Sequence, residues 1–184
     1  LKEDTQALYD ISGYNSIHQV RKKKVGGGAS LYIQEHISYN IRDDLNCFGF
    51  EVDSVFIEID KSQINTEKDV IVGVIYRPPN TDIDEFNSKL SEVLSKIKSE
   101  NKLCYLAGDF NCDLLKSETH IPTSNFVDIG YSHSFFPLIS KPTRVTSTSA
   151  TIIDNIFHNN IGNSNTLQGI LVTDVSDHYQ IFHI

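Results

Sequence analysis

Leu103 to Leu115, LCYLAGDFNCDLL, is the stretch that most constrains this chain. Leu103, Tyr105 and Ala107 alternate with Cys104 and Leu106, and all five are apolar. The run therefore fits a strand covered on both faces rather than one half exposed to water. It breaks at Gly108, where the backbone can turn without a Cβ penalty, and Asp109 and Asn111 follow at once. In an extended chain residues i and i+2 point to the same side, so a carboxylate and an amide would project together from the mouth of a buried strand. That pair is a candidate catalytic centre, although the same D-x-N spacing also suits an Asx turn closing the strand.

At 184 residues the chain is long enough for one compact domain and short for two. Hydrophobic residues make up 39% of it, enough for a core. No apolar run approaches the roughly 20 residues needed to span a bilayer, and the N-terminus lacks the plan of a signal peptide. An intracellular protein with no membrane partner is expected. Cys47, Cys104 and Cys112 are odd in number and lack C-x-x-C spacing, which argues against a disulfide framework or a thiolate zinc site. A net charge of -8 argues against a general polyanion-binding surface. Arg21-Lys22-Lys23-Lys24 is a local exception, which could meet phosphates or be a solvated loop. The chain starts at Leu1 and contains no Met, and on both grounds reads as a fragment.

Residues 1–20 are weakly patterned, with a turn expected at Gly13. Gly26-Gly27-Gly28 precede the β-prone run Ala29–Ile33. Phosphate-cradling glycine loops feed a helix, so hairpin entry or close backbone packing is the better reading here. Strands are predicted at Ser54–Ile59 and Val70–Tyr76. The second must stop at Arg77-Pro78-Pro79-Asn80, because proline cannot donate to a sheet ladder, which leaves Tyr76 and Arg77 at a strand mouth. Ile83, Phe86, Leu90, Val93, Leu94 and Ile97 fall on one stripe and predict a helix to about Lys98, capped by Thr81 or Asp82. A Pro122-started turn or short helix carries Phe126, Val127 and Ile129, and Lys141–Ser149 reads as irregular. Thr151–Phe157, Leu167–Thr173 and Tyr179–Ile184 are the remaining predicted strands. With no tandem period and no low-complexity linker, one mixed α/β domain over residues 1–184 is expected.

Asp154 lies inside an apolar strand, where a carboxylate needs a donor or a cation because burying it unpaired is costly. His178, flanked by Asp177 at the start of the final strand, is a natural partner. An Asp that accepts from one ring nitrogen fixes the tautomer and favours the charged imidazole. Ser176 and Asp177 could equally be turn residues, and Tyr76 a packed aromatic with its hydroxyl satisfied. No H-E-x-x-H or clustered His pair offers a zinc site, whereas oxygen-rich sites suit Mg²⁺ or Mn²⁺.

The order of four motifs is more informative than any one of them: Y-R-P-P-N at Tyr76–Asn80, G-D-F-N at Gly108–Asn111, S-A-T-I-I-D-N-I-F at Ser149–Phe157 and S-D-H at Ser176–His178. As a set they resemble the endonuclease/exonuclease/phosphatase superfamily, in particular the apurinic-like endonuclease domain of non-LTR (LINE-type) retrotransposons. The resemblance spans essentially the whole chain. It implies an α/β (α+β) four-layer sandwich of two packed mixed β-sheets flanked by helices, here missing its first strands. Strand ends would converge on a Mg²⁺-dependent (or Mn²⁺-dependent) phosphodiesterase site.

By position, the resemblance implies that Asp109 is the general base and that Asn111 orients the attacking water or the phosphate. His178 would contact the scissile phosphate, with Asp154 orienting its ring, and Tyr76 would donate to the phosphate. Arg77, Asn80 and Thr151 take phosphate- or substrate-binding positions, and Asp177 lies near the metal. DNA as substrate, a downstream reverse transcriptase in the parent polyprotein and a nuclear site of action follow from the same resemblance.

Those enzymes also carry a metal-binding Glu in a second strand. The only nearby acid here is Glu3, whose context, LKED, resembles the polar loop after that motif, so the principal ligand is expected upstream of Leu1. Two readings follow. One is a nicking endonuclease domain whose catalysis belongs to the complete parent polyprotein. The other is a non-catalytic relic or nucleic-acid-binding module that keeps the fold without the metal. A lipid or inositol phosphate phosphatase is a third reading within the superfamily, and the R-P-P-N and I-D-N-I-F contexts favour the retrotransposon branch over it.

Overall fold

The computed structural model describes residues 9–19, 27–49, 51–162 and 166–184. Glu3, the Arg21–Lys24 run and Gly26 lie outside the described residues. In chain order the elements are β1 (Tyr14–Gln19), β2 (Ala29–Gln34), β3 (Asn40–Ile41), β4 (Asp53–Ile59), α1 (Lys61–Ile64), β5 (Val70–Tyr76), α2 (Ile83–Ser99), β6 (Leu103–Asp109), α3 (Ile121–Ser132), β7 (Phe136–Pro137), β8 (Arg144–Val145), β9 (Ala150–Thr151), β10 (Asp154–His158), β11 (Gln168–Leu171) and β12 (Gln180–His183).

Six strands form a mixed sheet in the order β3-β4-β5-β6-β10-β7. β5 and β6 run parallel, and the other pairings are antiparallel. A parallel pair needs a crossover, and α2 supplies it. Its N-terminus is set by Asp82, whose Oδ1 accepts the Asp84 and Glu85 N–H groups at 2.9 and 3.0 Å. The buried stripe of α2 is the one the sequence spacing predicts: Phe86, Leu90, Val93, Leu94 and Ile97.

One face of the sheet presents Phe56, Ile71, Ile75, Cys104, Leu106 and Phe157 to α2 and α3, making the main core. The opposite face is covered at its two ends. Ile57, Ile59 and Val72 meet Ile17, Leu31 and Ile33 of the β1–β2 hairpin. Tyr105 packs on His183 of the β11–β12 hairpin at 5.1 Å between ring centroids. Between the hairpins Val72, Val74, Tyr105 and Ala107 are only half-buried. β6 is therefore sealed on its helix side and partly open on the other, because the second layer consists, among the described residues, of separate hairpins rather than one continuous sheet.

The mixed α/β class and strands β4, β5 and β6 agree with the sequence pattern. The strand expected over Thr151–Phe157 divides at Ile152 and Ile153, both buried, where the chain passes from a β8–β9 ribbon into the main sheet. β8 falls in the segment expected to be irregular. β1 escapes pattern reading because none of its residues is buried, so it shows no clean alternation.

Close packing accounts for Gly108. A Cβ on Gly108 would lie 1.8 Å from the Ile75 carbonyl oxygen of the neighbouring strand. The Gly28 N–H donates to Asp53 Oδ2 at 2.9 Å. The three cysteines are free, with Cys104 and Cys112 buried. Among the described residues no helix is long and apolar enough to cross a membrane.

Candidate active site

The register of the sheet collects the polar residues. Tyr76 ends β5 directly opposite Asp109 at the end of β6, and Asp109 is directly opposite Asp154 at the start of β10. Directly paired residues project from the same face, so Tyr76, Asp109 and Asp154 form a row at one end of the sheet. That face is the one carrying the two hairpins.

His178 reaches the row from the segment before β12. Its Nδ1 lies 3.0 Å from Asp154 Oδ2 and 3.1 Å from Oδ1, the contact anticipated from the sequence. The His183 ring against Tyr105 holds the hairpin that carries it. Asp154 is held from behind by Thr143, fully buried, whose Oγ1 accepts the Asp154 N–H at 3.1 Å and the Ile153 N–H at 3.3 Å. Thr143 is a positioning residue that sequence reasoning missed, since a threonine in a Ser/Thr-rich stretch carries no periodic signal.

Asp109 makes the Asx turn as well as lining the site. Its Oδ1 accepts the Asn111 N–H at 3.0 Å, and Asn111 takes the left-handed conformation at φ 47°. The Asx-turn reading of D-x-N is realised, and the turn leaves Asp109 in the row at the sheet end. Burial pushes the Asp109 carboxyl up to about 6; the Asn111 N–H opposes the rise and the neighbouring Asp154 charge adds to it.

Other residues sit elsewhere than the sequence implies. Arg77 is 4% exposed. Its Nε donates to Phe110 O at 2.7 Å, Nη1 to Thr81 O at 2.8 Å and Nη2 to Asn111 O at 2.8 Å. Five donors in a fixed fork suit this carbonyl cluster, so Arg77 braces the backbone under the site instead of facing a phosphate. Asn111 spends one amide N–H on Arg77 O at 2.8 Å. Asp177 pairs with Arg144, Nε to Oδ2 at 2.7 Å. That hydrogen bond holds the Asp177 carboxyl below its ordinary range. Asn80 lies in the turn beyond β5, and Thr151 ends β9 opposite Arg144.

Asp109, Asp154 and His178 each offer a ligand atom, and these atoms lie within 4.8 Å of one another. Two carboxylates and an imidazole suit a hard or borderline divalent ion such as Mg²⁺ or Mn²⁺. Asp177 stands outside that set and pairs with Arg144.

A mixed sheet that brings two carboxylates and a histidine together at its strand ends defines an α/β protein with a polar cluster at one sheet end. The chain belongs to the Endonuclease/Exonuclease/phosphatase family, whose model matches residues 3–178. Its members are hydrolases acting on phosphodiesters or phosphate esters. Among solved structures, the chain is similar to the endonuclease domain of TRAS1, a telomere-specific non-LTR retrotransposon, at 14% identity and TM-score 0.71 over 93% of this chain and 79% of that one. It is similar to the catalytic domain of Xenopus laevis APE2 at 16% identity and TM-score 0.62, over 94% and 75% respectively. It is also similar to a mannosyl-6-phosphatase of Bacteroides thetaiotaomicron at 16% identity and TM-score 0.56, over 95% and 78%. At such identities the likeness is one of fold. No curated protein matches the chain.

Proposed function

We propose that this chain is a metal-dependent phosphodiesterase domain that nicks DNA as part of a non-LTR retrotransposon polyprotein. The observation that carries the reading is the convergence of Asp109, Asp154 and His178, drawn from three distant segments, to within 4.8 Å at the end of one sheet. The fold likeness to a retrotransposon endonuclease domain supports the branch. DNA as partner, a reverse transcriptase downstream in the parent chain and action in the nucleus belong to the same reading.

Asp109 takes the proton of the attacking water. A carboxylate raised to about 6 is well matched to that work near neutral pH. Its Oδ1 is occupied by the Asn111 N–H, and Oδ2 is the basic oxygen. His178, fixed through Nδ1 by Asp154, turns its other ring nitrogen to the phosphate and meets the negative charge that develops there. The Tyr76 hydroxyl and the second N–H of the Asn111 amide donate to phosphate oxygens, with Asn80 and Thr151 at the substrate's flanks. Mg²⁺ or Mn²⁺ would be held on the carboxylate side of this cluster, by Asp109 and Asp154, and would polarise a phosphate oxygen and offset the carboxylate charges.

The test is conversion of supercoiled plasmid to open circle with Mg²⁺ or Mn²⁺, against an EDTA control. Activity is expected from the complete domain of the parent polyprotein and none above background from its Asp109→Ala variant. A complete, folded domain of the parent polyprotein that is inert with both ions would defeat the enzyme reading and leave the non-catalytic nucleic-acid-binding module.

A further inference from the structure

We propose that Arg144 is the anion-anchoring residue of this site and that Asp177 is the residue that positions it, an inference resting on the phosphodiesterase reading. The residues around 144 lie between two neighbours. On one side Arg144 is directly opposite Thr151 of β9, and on the other it is directly opposite His178. Hydrogen bonds from Tyr179 N to Thr143 O at 2.6 Å and from Val145 N to Asp177 O at 3.3 Å fix the second pairing. Directly opposed residues share a face. Thr151, Arg144 and His178 therefore form a second row, which meets the Tyr76–Asp109–Asp154 row at the His178–Asp154 contact.

The guanidinium is held by one corner only. Nε donates to Asp177 Oδ2 at 2.7 Å, and the Nη groups make no hydrogen bond among the described residues. An arginine fork presents paired donors that match the oxygens of a phosphate, which a point charge such as lysine does not. Fixing Nε removes rotamer freedom before the substrate arrives, so less ordering is left for binding.

The charge balance requires such a group. A phosphodiester approaching Asp109, Asp154 and Asp177 meets three carboxylates. Arg77, the nearest other arginine in sequence to the row, is buried and committed to backbone carbonyls. Arg144 is 44% exposed, accessible to a ligand while tethered. Asp177 in this arrangement serves the cation rather than a metal.

Anisotropy of a fluorescein-labelled duplex in EDTA, over a series of NaCl concentrations, reads binding apart from turnover. Arg144→Gln is expected to weaken binding about tenfold and to flatten the salt slope by about one, with an unchanged melting temperature. Arg144→Lys should keep the slope and still lose about tenfold in nicking kcat, because the charge remains and the fork does not. Asp177→Asn should lower kcat while leaving Kd unchanged or tighter, a split that a merely structural role would not produce. Arg144→Gln with wild-type Kd and salt slope would overturn the inference and leave the nuclease reading intact. A wild-type chain that neither binds nor nicks DNA would remove that reading and the inference with it.

Discussion

Arg77 and Asn111 hold each other's backbone: Arg77 Nη2 donates to Asn111 O at 2.8 Å, and Asn111 Nδ2 donates to Arg77 O at 2.8 Å. This reciprocal lock ties the end of β5 to the loop after β6. Asp109 lies between the two attachments, because Arg77 N also donates to Asp109 O at 2.9 Å. The main chain on either side of the Asp109 carboxylate is thus fixed by the side chains of Arg77 and Asn111.

Arg77→Ala would strand the carbonyls of Phe110, Thr81 and Asn111, which Arg77 serves at 2.7 to 2.8 Å. Leaving buried acceptors unpaired costs about 1–3 kcal/mol each where water does not replace the donor. The expected loss is roughly 3 kcal/mol in urea unfolding, with nicking reduced at temperatures where the variant is still folded. Arg77→Lys should rescue little, because one ammonium cannot span the carbonyls the fork reaches. Near-wild-type stability of both variants would contradict the lock.

Asp109 gives a pH dependence whose sign can be worked out. Its folded value, about 6, lies above the ordinary 3.8. Stability linked to this raised group is fully present below the ordinary value and is lost as pH rises through about 6. Asp109→Asn, neutral at all pH, should therefore melt above the wild type at about pH 7.5 and at nearly the same temperature at about pH 4, both in EDTA. Wild-type nicking should rise through about pH 6 to a plateau as the base ionises. A Tm difference that does not change with pH would show that Asp109 is not held near neutrality.

The elements legible in the sequence are those with length and period. α2 shows a five-residue apolar stripe, β5 ends where Pro78 forbids a donor, and β6 announces itself by unbroken apolarity. The β8–β9 ribbon has two-residue strands, too short for any period, and so Arg144 and Thr143 gave no signal. Asp109, Asp154 and His178 could be named because each sits where an apolar strand begins or ends. Arg77 could not be read correctly: a sequence shows that an arginine follows a strand, but not that a loop 33 residues later turns its carbonyl toward it. The pairing of Asp177 was illegible for the same reason, since its partner lies 33 residues upstream in the unpatterned segment.

Asp154 and His178 should behave as one unit. With Nδ1 and Oδ2 3.0 Å apart, either deletion removes the same oriented imidazole. Asp154→Ala and His178→Ala are each expected to lower nicking by roughly 10²–10⁴, and the double variant should fall no further than the worse single one. Fully multiplicative losses would mean that the two act separately. Asp154→Ala should also lower the melting temperature, since the Thr143-braced start of β10 loses its filled polar site.

Gly108 tests whether the approach of β5 to β6 is obligatory for the site. The two strands are parallel, with Ile75 directly opposite Gly108 and Tyr76 directly opposite Asp109. An alanine methyl would enter 1.8 Å from Ile75 O and 2.8 Å from Ile75 C, both main-chain atoms that no rotamer change can move. Relief requires the strands to move apart immediately before the Tyr76–Asp109 pair. Overpacking against backbone should cost roughly 3 kcal/mol or more, and the separation should displace the Asp109 carboxylate from Asp154 and His178. Gly162→Ala, which meets nothing within 4 Å, is the control and should stay within about 0.5 kcal/mol of wild type. Urea unfolding of the two variants, read beside plasmid nicking at low temperature, separates the outcomes. A stable and active Gly108→Ala chain would mean that the row at the sheet end does not depend on this contact between strands.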